Sequence, residues 1–318
     1  MHTYIIRRLF QILLVLLLVS IVVFLMVRLL PGDPILLYMT QQNMEILNKE
    51  QLDVIRHDLG LDRNLAVQYV DWLSHALRGD LGKSIISRSD VSDEIARRLP
   101  ITMYLSGIAF IISIIIGIPL GVISAVRRGT WLDNVLTSIG NLGITVPAFW
   151  LGILLIYLFG MKLNWLPIFG FTSPFVDFGM SIKQTILPVI CLAVPPIATD
   201  IRMTRSSMLE VMRQDYIRTA WSKGLKERWI IIRHALKNGL IPVVTMKGMG
   251  LAHIVGGSVI VETVFSITGM GRLAVEGLFS QDYTIVQGVM LVTGAVVLLV
   301  NLLVDLSYAW LDPRIRYS

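Results

Sequence analysis

Charge and cysteine are scarce in this sequence. Only 16% of its 318 residues are charged, against about 25% in an average soluble domain. The single cysteine, Cys191, excludes an intrachain disulfide, and its place in an apolar run argues against a thiolate metal cluster. The five histidines have no H-E-x-x-H or comparable ligand spacing, so no metal site is expected within the chain. Internal repeats and low-complexity tracts are missing as well.

Apolar residues are abundant instead. They make up 54% of the chain, with a mean hydropathy of +0.70, and they gather into long blocks. That distribution names the lipid bilayer as the solvent. The net charge of +6 would suggest nucleic-acid binding in a soluble protein. Here the basic residues stand at the ends of apolar blocks, where they orient spans, and no nucleic-acid partner is expected.

A spanning helix needs about 20 mostly apolar residues. Leu9–Val27, Ile101–Val126, Asn134–Met161 and Tyr283–Val304 meet this need. A fourth span in chain order begins near Gln184 and has 16 uncharged residues before Asp200, so its inner end is expected to be polar. The fifth runs from about Gly239 to Val261 and contains Lys247. Six transmembrane helices in an all-α polytopic fold are therefore expected. Arg7 and Arg8 before the first block resemble a secretory signal. That block is longer than a signal core of about 7–15 residues and lacks a small-x-small cleavage site, so it is read as an uncleaved first span.

Segment 201–240 carries nine Lys/Arg against three Asp/Glu, whereas the short loops 162–183 and 262–283 carry three Lys/Arg between them. The excess of Lys and Arg marks the cytoplasmic side, which places both termini inside. The expected division is a first transmembrane helix over 1–30, an extracytoplasmic segment over 31–100 and a transmembrane core over 101–318. Segment 31–100 holds eleven acidic and eight basic residues, a soluble balance. Asn48 and Gln51 suggest a capping box for a helix closed by Gly60, and a second small helix is expected from Leu65 to Arg78 before Gly79.

The most informative stretch joins the fourth and fifth spans. It runs Asp215-Tyr216-Ile-Arg218-Thr219-Ala220-Trp-Ser-Lys-Gly224-Leu225 and continues to His234-Ala235-Leu-Lys-Asn238 and Pro242. It reads as a short helix, a glycine stop and a second helix returning to the membrane. Gly224 can take the positive φ that ends a helix, and Ala220 offers a surface that another backbone can approach. On composition alone an ordinary basic loop is the competing reading.

This stretch resembles the coupling loop of binding-protein-dependent ABC importers, written E-A-A, three residues, G, nine residues, I-x-L-P. Arg218-Thr219-Ala220 stand in the first three places, Gly224 keeps the spacing and His234–Lys237 occupy the last four. The missing acid and missing final proline are themselves similar to the wording of the dipeptide/oligopeptide/nickel branch. Pro31-Gly-Asp-Pro34, Leu59-Gly-Leu-Asp62, Gly79-Asp-Leu-Gly82, Pro147-Ala-Phe-Trp150, Arg202–Met208, Glu262–Phe265 with Gly269 and Gly271, and Asp312–Arg316 follow that branch in order. The chain is identified as resembling its B-type permease subunit over essentially its whole length.

That resemblance implies a type I ABC importer permease fold in a bacterial or archaeal cytoplasmic membrane. It implies a homologous second permease subunit, two ABC ATPase subunits that bind ATP and Mg, and an extracytoplasmic solute-binding protein. The chain itself would carry no cofactor and no catalytic residue. The helix around Asp215–Leu225 would sit in a groove of an ATPase and move with it as a rigid body. Segment 31–100 would either shape the docking surface for the binding protein or act as a passive cap. Arg202–Met208 and Asp215–Ala220 look like the peptide members, so dipeptide or oligopeptide cargo is expected, with glutathione and nickel complexes as alternatives.

Other motifs are set aside on physical grounds. Gly79-Asp-Leu-Gly82-Lys83-Ser84 ends like a phosphate loop, yet Leu77 stands where the first glycine is required. His253 and Ser258 lie about 140° apart on a helix, which disfavours a membrane serine hydrolase. A self-sufficient secondary transporter would show inverted repeats, and none is visible in the sequence. Lys247 lines the transport path, pairs with an acid, or snorkels to the surface. Gly117-x-x-x-Gly121 suits close helix contact.

Overall fold

The computed structural model describes residues 2–29, 62–251 and 259–311. Its helices are α1 His2–Leu29, α2 Leu65–Ala76, α3 Val91–Val126, α4 Trp131–Thr145, α5 Ala148–Leu155 with a π-helical continuation over Ile156–Lys162, and α6 Phe178–Val211. Beyond these come α7 Asp215–Ser222, a composite α8 over 227–239, α9 Ile241–Leu251, α10 Val259–Val264, α11 Met270–Phe279 and α12 Tyr283–Leu311. The all-α expectation holds. Among the described residues the sole β feature is an isolated bridge between Lys83 and Asp90.

Ile6–Met26, Val91–Val126, Phe178–Val211 and Tyr283–Val304 are long and apolar enough to span a bilayer. Two differences from the expected spans have plain causes. The third expected span is not one rod, because α4 and the helix beginning at Ala148 meet at 103°. Pro147 pushes the residue before it out of the helical region, and Val146 sits at φ −70°, ψ 122°. The helix α3 starts ten residues before Ile101, since Asp93 and Glu94 suit its positive N-terminal end. The inner end of α6 is polar as expected, with Arg202, Ser206 and Glu210 exposed, but it is only partly solvated. Asp200 and Thr204 are buried there, 2% and 0% exposed. Part of the expected fifth span lies outside the described residues, as do the capping box at Asn48, Pro31–Pro34, the pair His253/Ser258 and Asp312–Arg316.

The chain forms two compact units, one of residues 1–102 with 268–318 and one of residues 103–267. In the first, Leu81, Val91, Ile95, Met270, Leu273, Ile285 and Val289 form the core. Asn64 caps α2 by accepting from the Ala66 N–H, and the helix ends at Ala76, two residues before the expected stop. Its Tyr69 and Trp72 rings pack on Phe24 of α1, with centroids 5.4 and 5.9 Å away. The turn after Gly82 is stapled by Asp282. That carboxylate accepts the Ser84 hydroxyl at 2.5 Å and the Ile85 and Ile86 N–H groups at 3.3 and 3.4 Å. The phosphate-loop-like ending thus holds an internal carboxylate.

In the second unit α6 is the axis. Lipid tails are as apolar as leucine, so helices in a bilayer associate through close van der Waals contact and polar links. Glycines supply the contact. A Cβ at Gly117 would lie 2.6 Å from Asp200 Cβ, one at Gly121 would lie 2.6 Å from Thr204 Cβ, and one at Gly143 would lie 2.8 Å from Ala198 Cβ. A polar clamp reinforces them. Arg205 donates Nε and Nη2 to the two Asp133 oxygens at 2.7 and 2.9 Å, while Ser124 Oγ and the Gly129 N–H also donate to that carboxylate.

This packing yields two predictions. Gly121→Val should lower the unfolding midpoint of the detergent-solubilised protein, by the equivalent of about 1–3 kcal/mol for an overpacked contact. A midpoint equal to that of the parent would refute the tight α3–α6 approach. Arg205→Leu, which strips the buried Asp133 of its cation, should cost about 3–5 kcal/mol before its remaining hydrogen bonds are counted. The companion Asp133→Asn should recover part of that loss in the same thermal assay.

Candidate functional site

Two constructions in the second unit carry functional side chains. The first is an elbow between α6 and α9. The i, i+3 spacing on α7 sends Ile217 and Ala220 inward, where they pack with Ala125, Met208, Ile230 and Ala235. Tyr216, Arg218, Thr219 and Trp221 are left on the exposed face. Asp215 stands in the first turn, where the helix dipole favours an acid. Its pairing with Arg218 at 3.4 Å is solvent-exposed and contributes little.

Gly224 ends α7 at φ +73°, and its N–H closes onto the Trp221 carbonyl at 2.9 Å. A Cβ there would meet open space, so the demand for glycine comes from backbone conformation alone. The composite α8 then returns, with a π-helical stretch over Ile230–Ala235. Asn238 Nδ2 donates to the Tyr216 hydroxyl at 2.8 Å and to the His234 carbonyl at 3.3 Å, tying the two helices of the elbow together. Ser207 Oγ of α6 donates to the Gly239 carbonyl at 2.7 Å, and a Cβ at Gly239 would collide with Met208 Sδ. The elbow is bolted to the end of α6.

The structure therefore assembles the sequence-derived residues into one body with two faces. Ala220 and Ala235 are buried in one cluster with Ile217 and Ile230. Tyr216, Arg218, Thr219, Gly224 and Leu225 face outward. Trp221 and Trp229, 45% and 57% exposed, join that outer face and escaped sequence reasoning. Two large aromatics within a basic, polar loop were the signal available.

The second construction surrounds Lys247. Its Nζ lies 2.6 Å from Asp200 Oδ2 on α6, donates to Ser113 Oγ at 2.6 Å and sits 5.0 Å from the centre of the Phe110 ring. The two side chains are 12% and 3% exposed, so Lys247 pairs with an acid and does not reach the surface. Gly117 makes room for Asp200. Asp200 was missed as a partner. An acid ending one apolar run and a lysine inside the next were the clue, because two opposite charges at membrane depth lower each other's cost.

The pair forms part of the wall of a cavity of about 390 Å³, within the range of small-molecule sites. Its wall is mostly apolar, with Phe110, Met246 and Val261 among the contributors. Among the described residues no group of three or more His, Cys, Asp or Glu could hold a metal ion.

Apolar helices around a charge-bearing cavity, with a helical elbow fixed to one of them, define a polytopic membrane protein of the permease type. Residues 117–317 match the family described as binding-protein-dependent transport system inner membrane component, and residues 1–106 match its N-terminal counterpart. The chain belongs to this family of transport-system inner membrane components. It is similar, at 42% identity over the full length of both chains, to a Brucella abortus protein named putative peptide transport system permease protein. A Sinorhizobium fredii protein named probable peptide ABC transporter permease protein is 40% identical, again over both full lengths. An Escherichia coli protein named glutathione transport system permease protein is 39% identical over the same extent. The fold is that of the methionine ABC transporter MetNI in inward-facing conformations, at a TM-score of 0.57 and 18% identity. That match covers 69% of this chain and 96% of the other.

The buried pair gives a stability prediction. Lys247→Met leaves Asp200 uncompensated and should cost about 3–5 kcal/mol. The double change Asp200→Asn with Lys247→Met should recover most of it, giving a strong coupling in a double-mutant cycle of unfolding midpoints. Additive effects would rule out the pairing.

Proposed function

We propose that this chain is the membrane-spanning permease subunit of an ATP-binding-cassette importer that moves short peptides across the cytoplasmic membrane. The observation that carries the reading is the elbow. A compact two-helix body is fixed to α6 by Ser207, Met208 and the buried Ile217/Ala220 face, while an aromatic and basic face is left open. Such a body suits the transmission of force from a separate protein into the spans. In this reading a homologous second permease subunit completes the pathway. Two ABC ATPase subunits bind ATP and Mg and receive the outer faces of α7 from both permeases. An extracytoplasmic solute-binding protein delivers cargo.

Closure of the ATPase pair displaces the elbow as a rigid body, and α6 follows because its last turns are part of the same packed cluster. Alternating access is then a switch between two packings of the spans. The chain supplies no catalytic group of its own, and both termini face the cytoplasm, in keeping with Arg7 and Arg8 near the start of α1 and the basic residues filling 201–240. Peptide cargo is supported by the names of the relatives from Brucella and Sinorhizobium. The E. coli relative named for glutathione supports a second cargo of the same chemical kind, a small peptide with free carboxylates.

Reconstitution in vesicles tests the reading. Uptake of a labelled peptide should require the ATPase subunits, ATP and the binding protein. Accumulation by this chain alone without ATP would show it to be a secondary transporter. Within the full complex, Gly224→Val places a β-branched residue where the left-handed backbone costs about 1–2 kcal/mol. Membrane insertion should be normal while peptide imported per ATP hydrolysed falls at least tenfold. An unchanged ratio would remove the elbow from the coupling path.

A further inference from the structure

The importer reading assigns no task to Asp200, Lys247 and the space beside them. Both side chains are withdrawn from water on separate helices of one unit, and both border the 390 Å³ cavity. Three further features of the wall point to a ligand. Ser106 is 6% exposed and lines the cavity, and its hydroxyl has no hydrogen-bond partner among the described residues. Pro195 and Pro196, adjacent in α6, lack the N–H groups that would close onto the carbonyls of Cys191 and Leu192, and all four residues border the same space. The rest of the wall is largely apolar, which strengthens every polar contact made inside.

We propose that the Asp200–Lys247 pair is an exchange site for zwitterionic cargo, in which a peptide's terminal ammonium takes Asp200 while its terminal carboxylate takes Lys247. One internal ion pair is replaced by two, so no charge is stranded. The peptide N–H can donate to a carbonyl freed by the prolines, and the Ser106 hydroxyl gains a partner. Cargo with one end capped breaks the pair and leaves one ion alone at membrane depth, which is the costly outcome. Selection for two free termini is thereby built into the membrane subunit, independent of any receptor. This inference rests on the peptide-import reading of the same chain.

The test uses the complete complex of permeases and ATPases in detergent without the binding protein, so that receptor selectivity cannot contribute. Equilibrium dialysis compares labelled dialanine with N-acetyl-dialanine and dialanine amide. Dialanine should bind at least tenfold more tightly than either capped form, and equal binding overturns the proposal without needing any variant. The double variant Asp200→Asn with Lys247→Met keeps the site neutral. It should reduce the preference for dialanine to within twofold, whereas a purely structural pair predicts an unaltered preference. Lys247→Arg with Asp200 intact should retain the preference. Adding the binding protein and ATP in vesicles separates the two readings. ATP-driven dialanine uptake with no discrimination in dialysis overturns this inference alone, and absence of uptake for every peptide overturns peptide cargo and this inference together.

Discussion

The helix α6 has to cross a bilayer while carrying Asp200, Thr204, Arg205 and Ser207 along its inner half, and three prolines besides. No single neighbour can satisfy that load. Asp200 needs a cation, Arg205 needs an anion, and the small polar groups need backbone partners close enough to exclude lipid. The surrounding helices meet the needs of Asp200, Arg205 and Ser207 one by one, while the buried Thr204 hydroxyl has no partner among the described residues. Lys247 comes from α9, Asp133 from the start of α4, and the Gly239 carbonyl from the end of α8. Each partner can arrive only if the backbone beside it comes within van der Waals distance. Glycine therefore stands at 117, 121, 143 and 239, opposite the side chains of α6. Packing and polar pairing are here one constraint seen twice.

That constraint also decides what was legible in the sequence. Long apolar runs announced α1, α3 and α12, and a shorter one α6, because hydropathy over about 20 residues is a sum that local detail cannot erase. The left-handed turn at Gly224 was legible for the opposite reason, as one residue type at one position whose conformation the rest of the chain does not alter. The break at Val146 was present in the letter Pro147 and was outweighed by the apolar count on both sides. What could not be read was partnership. Two opposite charges in adjacent apolar runs hinted at Lys247 with Asp200, but nothing in the order of residues says that Arg205 meets Asp133 or that Tyr216 meets Asn238, because those contacts depend on how helices approach in space. Ala220 illustrates the limit at one residue. Its small size suggested a surface open to another backbone, whereas its place in the buried cluster with Ile230 and Ala235 follows from the phase of Ile217 on the same helix.

The turn after Gly82 makes a related point about motifs. Glycine, lysine and serine in that order suggest an anion cradle, and an anion is indeed bound, the Asp282 carboxylate. Backbone N–H groups converging on a turn attract whatever negative charge the fold brings near. The chemistry of the motif survives without its usual ligand.

Distance along α6 links the two functional constructions. Ser207, where the elbow is bolted, lies seven residues from Asp200, about 10 Å along a helix rising 1.5 Å per residue. A helix segment of two turns transmits displacement with little loss. In the proposed cycle a movement of the elbow therefore reaches Asp200 directly, while Lys247 rides on α9, at the opposite end of α8. Any change in the angle between α6 and α9 during that movement would alter the separation of the two charges. An ion pair at this depth tolerates stretching poorly, since neither partner can turn to water. A second pair of charges placed between them, at the ends of a small cargo, would lower the cost of that stretch. Coupling and selection would then share one interaction, and an empty transporter would be the harder one to switch.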